Sequence, residues 1–317
     1  MKKGFLMSNH SNLMWHNGEI IKWENGTTHV MSHGLHYGSA VFEGIKCYNG
    51  SQGPTLFRLK DHIVRLFNSA KIHNIIIPFT VQELISACEE LIIVNKILNG
   101  YIRPIAFYGY DTLGVHPQRC PVTTSVAVFD WGEYLGEGAL EKGVRVTISP
   151  WRKFHSSSFP TTAKASGQYI NSMLAARDAK EKGFDEALLL NQEGTISEGA
   201  GQNIFIVKNN QLHTNIESSS ILMGITRDTV IRIAESQNMV IKLESLSLGQ
   251  LFSADEVFFT GTASEITPIR EVDGRKIGEG QPGPITKNIQ KQYLDLVHGR
   301  IKGYEEWLTV IKSKNND

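Results

Sequence analysis

Short apolar runs and longer helical stripes alternate along the first third of the chain. Residues 14–57 show apolar positions broken by turn signals, including an Asn-Gly pair typical of a hairpin, so strands are expected there. Residues 59–72 change to the spacing of a helix with one apolar stripe. Thr80 and Glu83 form a capping box that predicts the start of a second helix, and Asn99-Gly100 predicts its end.

Two further strands are predicted at residues 101–108 and 121–129. In the first of them, Tyr101 and Arg103 fall on one face, because side chains alternate along a strand with a period of two. Pro104 follows directly and has no backbone N–H to donate. The pattern therefore predicts an edge position or a bulge for this strand.

The second half of the chain alternates between strand-like and helix-like segments. Strands are predicted at residues 144–150, 186–190, 203–207 and 256–260, and helices at residues 167–182, 225–238 and 284–297. Because both halves mix strands with helices, the predicted fold class is α/β (α+β).

A run of glycine and aromatic residues at 131–138 separates the two halves and has the composition of a linker. The length of 317 residues suggests about two domains, with a single domain as the alternative. We expect a small N-terminal α/β domain over residues 1–130, an interdomain loop over 131–140 and a large C-terminal α/β domain over 141–317.

Charge and composition narrow the class of function. The 32 Lys and Arg residues balance 32 Asp and Glu residues, which argues against a broadly basic nucleic-acid-binding protein but leaves a local patch open. The three cysteines have the spacing of neither a disulfide framework nor a zinc site, and the eleven histidines show no paired ligand spacing. No metal site is therefore predicted.

No apolar run reaches the roughly 18 residues that a membrane-spanning helix needs. Together with the odd number of scattered cysteines, this predicts a cytoplasmic protein. The expected partners are small molecules, with neither nucleic acid nor membrane among them.

Two segments carry residues suited to covalent or acid chemistry, although each has an ordinary explanation. Lys164 lies among small residues just ahead of a predicted helix, where a partly desolvated amine suits Schiff-base chemistry. A solvated loop lysine fits the composition as well. Glu198 is flanked by glycines that would let a flat ligand approach the backbone, or it is an exposed acid in a glycine-rich turn.

Two other segments suit an anion. Gly224 precedes a predicted helix whose first N–H groups would hold a phosphate, unless Thr226 merely caps that helix. Residues 260–264 form a small-residue turn whose amides would face an anion, as the amides of an ordinary hairpin also would. Together, the four segments supply what pyridoxal phosphate needs, namely a lysine for its aldehyde, an acid beside its pyridine nitrogen and a phosphate site.

In order and local sequence, the chain resembles the branched-chain amino acid aminotransferases of fold type IV, from about Trp15 to Tyr293. The matching motifs are His36-Tyr37-Gly38, Val41-Phe42-Glu43-Gly44, Tyr101-Ile102-Arg103-Pro104, the Lys164 segment, Ser197-Glu198-Gly199, Gly224-Ile225-Thr226-Arg227-Asp228 and Gly261-Thr262-Ala263. The resemblance implies a two-domain fold with the active site between the domains. It also implies pyridoxal 5'-phosphate as cofactor and transfer of the amino group of L-leucine, L-isoleucine or L-valine to 2-oxoglutarate, giving the branched 2-oxo acid and L-glutamate.

The resemblance assigns Lys164 as the catalytic residue, which would bind the aldehyde of the cofactor and then act as acid and base. Glu198 would face the pyridine nitrogen, and Tyr169 would bond the phenolic oxygen. The implied cofactor-binding residues are Arg65, Lys164, Tyr169, Glu198, Gly224, Ile225, Thr226 and Thr262.

Arg65 is the member of this set that periodicity does not support. At about 100° per residue it lies roughly 160° from the apolar stripe of its helix, so the pattern alone predicts a solvated side chain. Only the His62-x-x-Arg65-Leu66 context, which matches the family, places Arg65 among the residues that would hold the phosphate.

The resemblance also implies a substrate pocket that serves both apolar side chains and the distal carboxylate of glutamate. Arg103 would bind that carboxylate, and aromatic residues would form the apolar wall unless they are simply core residues. The implied substrate-binding residues are Tyr37, Phe42, Tyr101, Arg103, Val115, Trp131, Tyr134, Thr262 and Ala263. Tyr37 and Val115 would come from a second copy, since the resemblance implies a homodimer or higher homo-oligomer.

Other functions on the same fold stay open at this point. A D-amino acid aminotransferase or an aminodeoxychorismate lyase would keep Lys164 and Glu198. A cofactor-binding protein without turnover is a further alternative, and the presence of both residues argues against it. Met223 and Gln202 depart from the family pattern, where a proline and an acid are frequent. They leave the preference among leucine, isoleucine and valine open, as the sequence also leaves the physiological direction.

Overall fold

A computed structural model describes residues 11–130, 132 and 134–312 of the chain. The chain divides into two compact units. The first unit consists of Met1–Gly132, Ala163–Gly167 and Asp295–Asp317, and the second consists of Glu133–Thr162 and Gln168–Leu294.

Strands and helices are interspersed in the described part of the chain, so the predicted α/β (α+β) class is confirmed. The strands are β1 (Leu13–His16), β2 (Glu19–Lys22), β3 (Ala40–Phe42), β4 (Ile45–Gly50), β5 (Gly53–Phe57), β6 (Gly100–Tyr108), β7 (Val122–Phe129), β8 (Val144–Ile148), β9 (Glu186–Leu190), β10 (Ile196–Gly199), β11 (Asn203–Lys208), β12 (Gln211–Thr214), β13 (Ile241–Leu243), β14 (Glu256–Gly261), β15 (Glu265–Val272), β16 (Arg275–Lys276) and β17 (Leu308–Val310). The helices are α1 (His33–Tyr37), α2 (Leu59–Ile72), α3 (Val81–Val94), α4 (Ala139–Lys142), α5 (Tyr169–Glu181), α6 (Ile225–Ser236), α7 (Leu248–Phe252) and α8 (Pro284–Val297).

The first unit is built on an antiparallel sheet with the strand order β17-β5-β4-β6-β7-β1-β2, and β3 also pairs with β6. Helix α2 packs against β3, and α3 packs against β1 and β7. Ile63 and Leu66 of the apolar stripe of α2 are fully buried, as helical periodicity predicts for a helix packed on a sheet.

The second unit is built on a mixed sheet with the strand order β10-β9-β8-β15-β14-β11-β12-β13, and β16 pairs with β15. The pairs β8–β9, β8–β15 and β12–β13 are parallel, and the other neighbours are antiparallel. Helix α5 packs against β9, and α6 packs against β13 and β14. The inner strands β9 and β11 are buried along nearly their whole length, which explains their continuous apolar sequences.

The second predicted helix, now α3, begins where its capping box places it. Thr80 Oγ1 accepts from the Glu83 N–H at 3.2 Å, and Glu83 Oε2 accepts from the Thr80 N–H at 2.6 Å. The predicted end at Asn99-Gly100 is wrong, because the helix ends at Val94. The side chain of Asn95 bonds both backbone groups of Leu13, and this long-range contact turns the chain out of the helix earlier than the local signal suggests.

The prediction of an edge position for the strand with Pro104 is also wrong, because β6 lies in the interior of its sheet. Pro104 pairs with Val126 on one side. On the other side the Glu43 N–H donates to the Pro104 carbonyl at 2.8 Å. The missing N–H of Pro104 would face the gap between β3 and β4. The proline therefore coincides with a break in the neighbouring strand, and β6 itself stays in the interior of the sheet.

The division into units differs from the predicted domain ranges in two segments. Residues 163–167 and the C-terminal residues from Asp295 belong to the first unit, whereas the prediction placed both in the second domain. For the C-terminal segment the reason is that β17 pairs with β5. The sequence could not predict this pairing, because a three-residue strand contains nothing that identifies a partner strand about 250 residues away.

None of the helices in the described part of the chain has both the length and the apolar character needed to cross a bilayer.

Candidate active site

Helix α2 presents a polar stripe beside its apolar one. His62, Arg65 and Ser69 recur at the spacing of one helix face, and His62 and Ser69 are buried. Arg65 keeps 15% of its side chain exposed, so the solvated side chain that periodicity alone predicts is wrong. The polar stripe is buried because it faces a buried carboxylate and a loop instead of water.

The carboxylate belongs to Glu43, which lies between β3 and β4 and is fully buried. Its Oε1 accepts from Arg65 Nε at 2.6 Å, and its Oε2 accepts from Arg65 Nη2 at 2.9 Å. His62 Nδ1 lies 2.8 Å from Oε2, and the Gly44 N–H donates to the same oxygen at 3.1 Å. Four donors therefore converge on one carboxylate, and this satisfies a charge that could not otherwise be buried.

Burial and neighbouring charges have opposing effects on the pKa values of Glu43 and His62. Burial by itself would raise the pKa of Glu43, but Arg65 and His62 beside it lower that pKa far below its ordinary value. Burial lowers the pKa of His62, against the opposing influence of Glu43. Glu43 is thus an anion, and since an anionic carboxylate only accepts, His62 Nδ1 carries the hydrogen.

The Lys164 segment is attached to the same unit through its backbone. The Lys164 N–H donates to Ser69 Oγ at 2.9 Å, and the Phe42 N–H donates to the Lys164 carbonyl at 3.0 Å. Ala165 forms a β-bridge with Val41. The lysine backbone is therefore held between α2 and β3, and its Nζ lies 5.2 Å from the centre of the Phe42 ring.

Arg103, a second residue of the predicted substrate pocket, lies beside that ring and beside the ring of Tyr101, a third. The Arg103 guanidinium is 4.9 Å from the centre of the Phe42 ring and 5.4 Å from that of Tyr101. Tyr101 is buried, and a Cβ on Gly44 would clash with its hydroxyl oxygen. Glycine at position 44 is therefore what allows the Tyr101 hydroxyl to pack against the backbone there.

Tyr37 and Val115 lie on a different, exposed surface of the first unit. Tyr37 is 46% exposed and Val115 is 77% exposed. The Tyr37 hydroxyl donates to the Leu113 carbonyl at 2.9 Å, and His33 Nε2 lies 3.0 Å from the Val115 carbonyl. These contacts join α1 to the loop after β6. Trp131, also predicted for the pocket, lies outside the described residues.

In the second unit, the predicted acid Glu198 lies on β10 and is buried. Lys153 Nζ donates to its Oε1 at 2.6 Å. Its Oε2 accepts from Asn203 Nδ2 at 3.0 Å and from the Leu222 N–H at 3.1 Å. The alternative of an exposed acid in a glycine-rich turn is therefore wrong, since this carboxylate is held by three donors.

The predicted phosphate-binding residues other than Arg65 occupy a helix start and a turn of the second unit. Ile225 and Thr226 begin α6 and are buried, and a Cβ on Gly224 would clash with Asn203 Oδ1. The 12-residue helix directs its first N–H groups and its positive dipole end at this position. Thr262 and Ala263 lie on the turn between β14 and β15.

Two buried hydroxyls mark that turn as a polar environment. Among the described atoms, Thr260 Oγ1 and Ser264 Oγ have no hydrogen-bond partner. Buried hydroxyls of this kind are rare unless a ligand or water serves them. Tyr169 begins α5 and is partly buried. A Cβ on Gly201 would lie 3.7 Å from the Tyr134 hydroxyl, so this glycine leaves room beside the tyrosine.

The donor sets fit pyridoxal phosphate, each unit supplying part of them. The first unit holds a lysine and an arginine that lies partly open to solvent. The second holds a buried carboxylate with a countercharge, a helix start suited to a phosphate, and a turn with buried hydroxyls. The predicted role of each residue toward the cofactor stays a prediction.

Several residues of these groups were not predicted. Glu43 and His62 occur within the quoted motifs without a role, and a charged residue inside the apolar strand segment around Glu43 was the signal that could have found it. Lys153 carries no such signal. Gln202, one of the two departures from the family pattern, is buried and donates through Nε2 to Glu186 Oε2 at 2.9 Å.

Comparison with known proteins shows similarity along nearly the whole chain. The family model described as amino-transferase class IV matches residues 40–272. A branched-chain-amino-acid aminotransferase of Pseudomonas aeruginosa is 43% identical over 306 residues, which cover 96% of this chain and 99% of that protein.

Solved structures agree with the sequence relatives. The crystal structure of the Escherichia coli branched-chain amino acid aminotransferase superposes with a TM-score of 0.94 at 42% identity, covering 95% of this chain and 100% of that chain. The branched-chain amino acid aminotransferase of T.th., complexed with N-(5'-phosphopyridoxyl)-L-glutamate, superposes with a TM-score of 0.91 at 42% identity, covering 95% and 99%.

Proposed function

The chain belongs to the branched-chain amino acid aminotransferases of the class IV family, and we propose that its residues perform that reaction as follows. The enzyme depends on pyridoxal 5'-phosphate and transfers the amino group of L-leucine, L-isoleucine or L-valine to 2-oxoglutarate. The observation that carries this function is the match to curated relatives at 43% identity over nearly the full length of both chains. Lyase and D-amino acid specificities are not favoured.

When bound, pyridoxal phosphate supplies an aldehyde for the amino group and a ring that withdraws electrons from the substrate Cα. Lys164 would hold the aldehyde carbon until the amino group of the substrate replaces it there, and the freed Nζ would then accept the proton from the substrate Cα. The contacts of its backbone with Ser69 and Phe42 limit where this amine can reach.

Glu198 would hold the proton on the pyridine nitrogen. A carboxylate about 3 Å from a cationic nitrogen contributes a few kcal/mol at an effective dielectric of about 20. Lys153, Asn203 and the Leu222 N–H fix the position of this carboxylate. Arg65, Ile225, Thr226 and Thr262 would hold the phosphate, and Tyr169 the phenolic oxygen.

The group formed by Phe42, Tyr101 and Arg103 supports the proposed double use of the substrate pocket. The rings supply apolar surface for a branched side chain, and the guanidinium lies over both of them. A guanidinium stacked on aromatic faces can still donate through its edge, so Arg103 can serve a carboxylate without giving up the apolar wall. The glutamate adduct bound by the T.th. enzyme is consistent with a glutamate site of this kind.

The enzyme would act as a homodimer or higher homo-oligomer. Exposed apolar side chains support this, because α1, the segment before it and the loop after β6 carry six of them, and hydrogen bonds join α1 to that loop. These residues are Val30, Leu35, Tyr37, Tyr110, Leu113 and Val115. Large exposed apolar side chains on a folded unit are typical of an interaction site, and Tyr37 and Val115 would in this way reach the pocket of a second copy. Light scattering on the purified protein measures the assembly.

The enzyme would work in the cytoplasm. Cys47, Cys88 and Cys120 are all free thiols and all buried, which suits a reducing compartment. Burial raises the pKa of Cys47 to about 12, so this thiol resists oxidation. Fractionation of source cells with an antibody to the protein tests this location.

The experiment that tests the function is a transamination assay with a panel of amino donors. Purified protein is mixed with pyridoxal phosphate, 2-oxoglutarate and one amino acid, and the glutamate formed is measured. We expect glutamate from L-leucine, L-isoleucine and L-valine. Glutamate from D-leucine only, or release of pyruvate from aminodeoxychorismate without any transfer, would overturn the proposal.

A further inference from the structure

Glu43 is buried and bonds Arg65, which is a predicted contact of the cofactor phosphate. We propose that Glu43 is a positioning residue that fixes the Arg65 guanidinium for the phosphate of the cofactor. This inference rests on the proposed function, which assigns Arg65 to the phosphate. It concerns residues of the first unit alone.

The geometry of the pair determines which edge of the guanidinium is turned toward Glu43. Arg65 Nε and Nη2 both bond Glu43, and this pairing uses one edge of a planar group. The edge that carries Nη1 therefore points away from Glu43. With 15% of the side chain exposed, the arginine is open to solvent while the glutamate is not.

Glu43 itself is fixed by contacts from several directions. The Gly44 N–H and His62 Nδ1 bond Oε2, and the Glu43 N–H donates to the Pro104 carbonyl. Its backbone is thereby held to the central strand β6, and its side chain is held to α2. A carboxylate with so little freedom acts as a rigid support for the arginine.

The energetic consequence is preorganisation. An unsupported arginine would lose much of its rotamer freedom on binding a phosphate, whereas an arginine already fixed loses little. Glu43 also partly neutralises the positive charge of Arg65, and this neutralisation taken alone would weaken phosphate binding. When Glu43 is neutralised, the loss of orientation should weaken phosphate binding, whereas the loss of its negative charge should strengthen it. Because four donors hold this one carboxylate in place, we expect the effect on orientation to dominate.

The test compares two ligands of the cofactor-depleted full-length protein, pyridoxal 5'-phosphate and pyridoxal. The ratio of their dissociation constants, measured by absorbance titration, isolates the contribution of the phosphate. For Glu43→Gln we expect the preference for the phosphorylated ligand to fall about 10- to 100-fold, the range typical of losing a supporting residue behind a ligand contact. A merely structural role would weaken both ligands equally and leave the ratio unchanged.

Glu256→Gln is the matched control. Glu256 is also buried, and it accepts from the Ile285 and Thr286 N–H groups and from Thr286 Oγ1. The same chemical change at this position should lower the melting temperature but leave the ligand ratio at the wild-type value. A similar fall of the ratio in this control would overturn the proposal.

Arg65→Met separates this proposal from the proposed function. We expect the phosphate preference to collapse in Arg65→Met, and Glu43→Gln to have no further effect on the ratio in that background. If Arg65→Met keeps the preference, the assignment of Arg65 to the phosphate is wrong, and this inference falls with it. If Arg65→Met loses the preference but Glu43→Gln keeps or increases it, only the positioning role is wrong.

Arg65→Lys keeps the test decisive should Glu43→Gln fail to fold. Lysine preserves the charge but cannot form the paired contacts with Glu43. We expect the phosphate preference to fall about tenfold or more. A wild-type ratio in Arg65→Lys would show that the fixed guanidinium is not needed and would overturn the proposal.

Discussion

The two units each contain a buried carboxylate bonded to a cation at 2.6 Å, and the roles predicted for the two partners are opposite. In the first unit, Glu43 is fully buried behind Arg65, and the arginine is the predicted ligand contact. In the second, Lys153 is buried behind Glu198, and the carboxylate is the predicted contact.

The chemistry of the cations accounts for the difference. A guanidinium has five donors in a plane, so Arg65 can bond a carboxylate on one edge and an anion on another. The ammonium of Lys153 is a compact charge, suited to supporting one acid from behind. A buried ion pair can therefore present either sign of charge to a ligand, depending on which partner lies nearer the ligand.

The largest effect is expected at Lys164, the predicted catalytic residue. Lys164→Ala removes the amine that would hold the aldehyde and move the Cα proton, and the loss of acid and base catalysis alone costs about 10²- to 10⁴-fold. We expect transamination of L-leucine to fall below detection in a coupled glutamate assay. Lys180→Ala, at an exposed position on α5, serves as control and should keep full activity. Near-normal turnover in Lys164→Ala would refute the assigned chemistry.

Glu198→Gln tests whether the acid of the second unit acts on the reaction more than on binding. An amide holds the pyridine nitrogen without stabilising its proton, so turnover should fall about 10²- to 10³-fold, in the range seen when one electrostatic contact of a transition state is lost. Cofactor occupancy, measured by absorbance, should fall far less. Glu193→Gln, at an exposed turn position, is the control. Equal losses of turnover and occupancy would contradict the role.

Lys153→Met tests the idea that this cation exists to support Glu198. Removing it leaves a buried charge without its partner, which costs about 3–5 kcal/mol of unfolding free energy. The double variant Lys153→Met with Glu198→Gln should recover part of that loss, because no charge is then buried. Urea denaturation of the three proteins measures both values. Additive losses in the double variant would mean that the two residues do not act as a pair.

Arg103→Ala tests a cation that lies over aromatic rings. Arg65 and Lys153, in contrast, are bonded to carboxylates. A charged hydrogen bond contributes about 1.5–3 kcal/mol, so KM for 2-oxoglutarate should rise about tenfold or more. KM for L-leucine should change less, because Phe42 and Tyr101 remain. Steady-state kinetics with each substrate varied gives both constants, and the reverse order of effects would contradict the placement of Arg103.

The smallest expected effect is on the pH dependence of stability, where Glu43 and Glu186 should differ in sign. The pKa of Glu43 is lowered, so its contribution is present above the ordinary value of 4.5 and is lost as the pH falls below it. Burial raises the pKa of Glu186, against the donors from Ala187 and Gln202. The folded state then binds more protons than the unfolded state, and stability declines as the pH rises from 4.5 upward.

Urea unfolding between about pH 3 and pH 8 checks both signs. Glu43→Gln should flatten the acid limb of the stability profile, and Glu186→Gln should remove the decline above pH 4.5. Because the two residues carry opposite shifts, the profiles of the two variants should depart from that of the wild-type protein in opposite directions. Profiles that change in the same direction would show that burial, and not the cation beside Glu43, determines both shifts.

Local signals predicted the elements that local contacts stabilise. The start of α3 was predicted because Thr80 and Glu83 cap the same turn from within one short motif. Helix α8 was predicted with both of its limits, and β9 likewise. The end of α3 was predicted too late, since Asn95 bonds Leu13, a residue 82 positions away.

The sequence by itself determined the family of the protein, its cofactor and the positions of the lysine and the acid, because those residues lie in short motifs whose neighbours recur with them. Only the tertiary structure revealed the ion-pair partners of Arg65 and of the acid Glu198. Glu43 and Arg65 are 22 residues apart, and Lys153 and Glu198 are 45 apart. A hydrogen bond depends on distance in space, and residues this far apart in sequence become neighbours only when strands and helices pack.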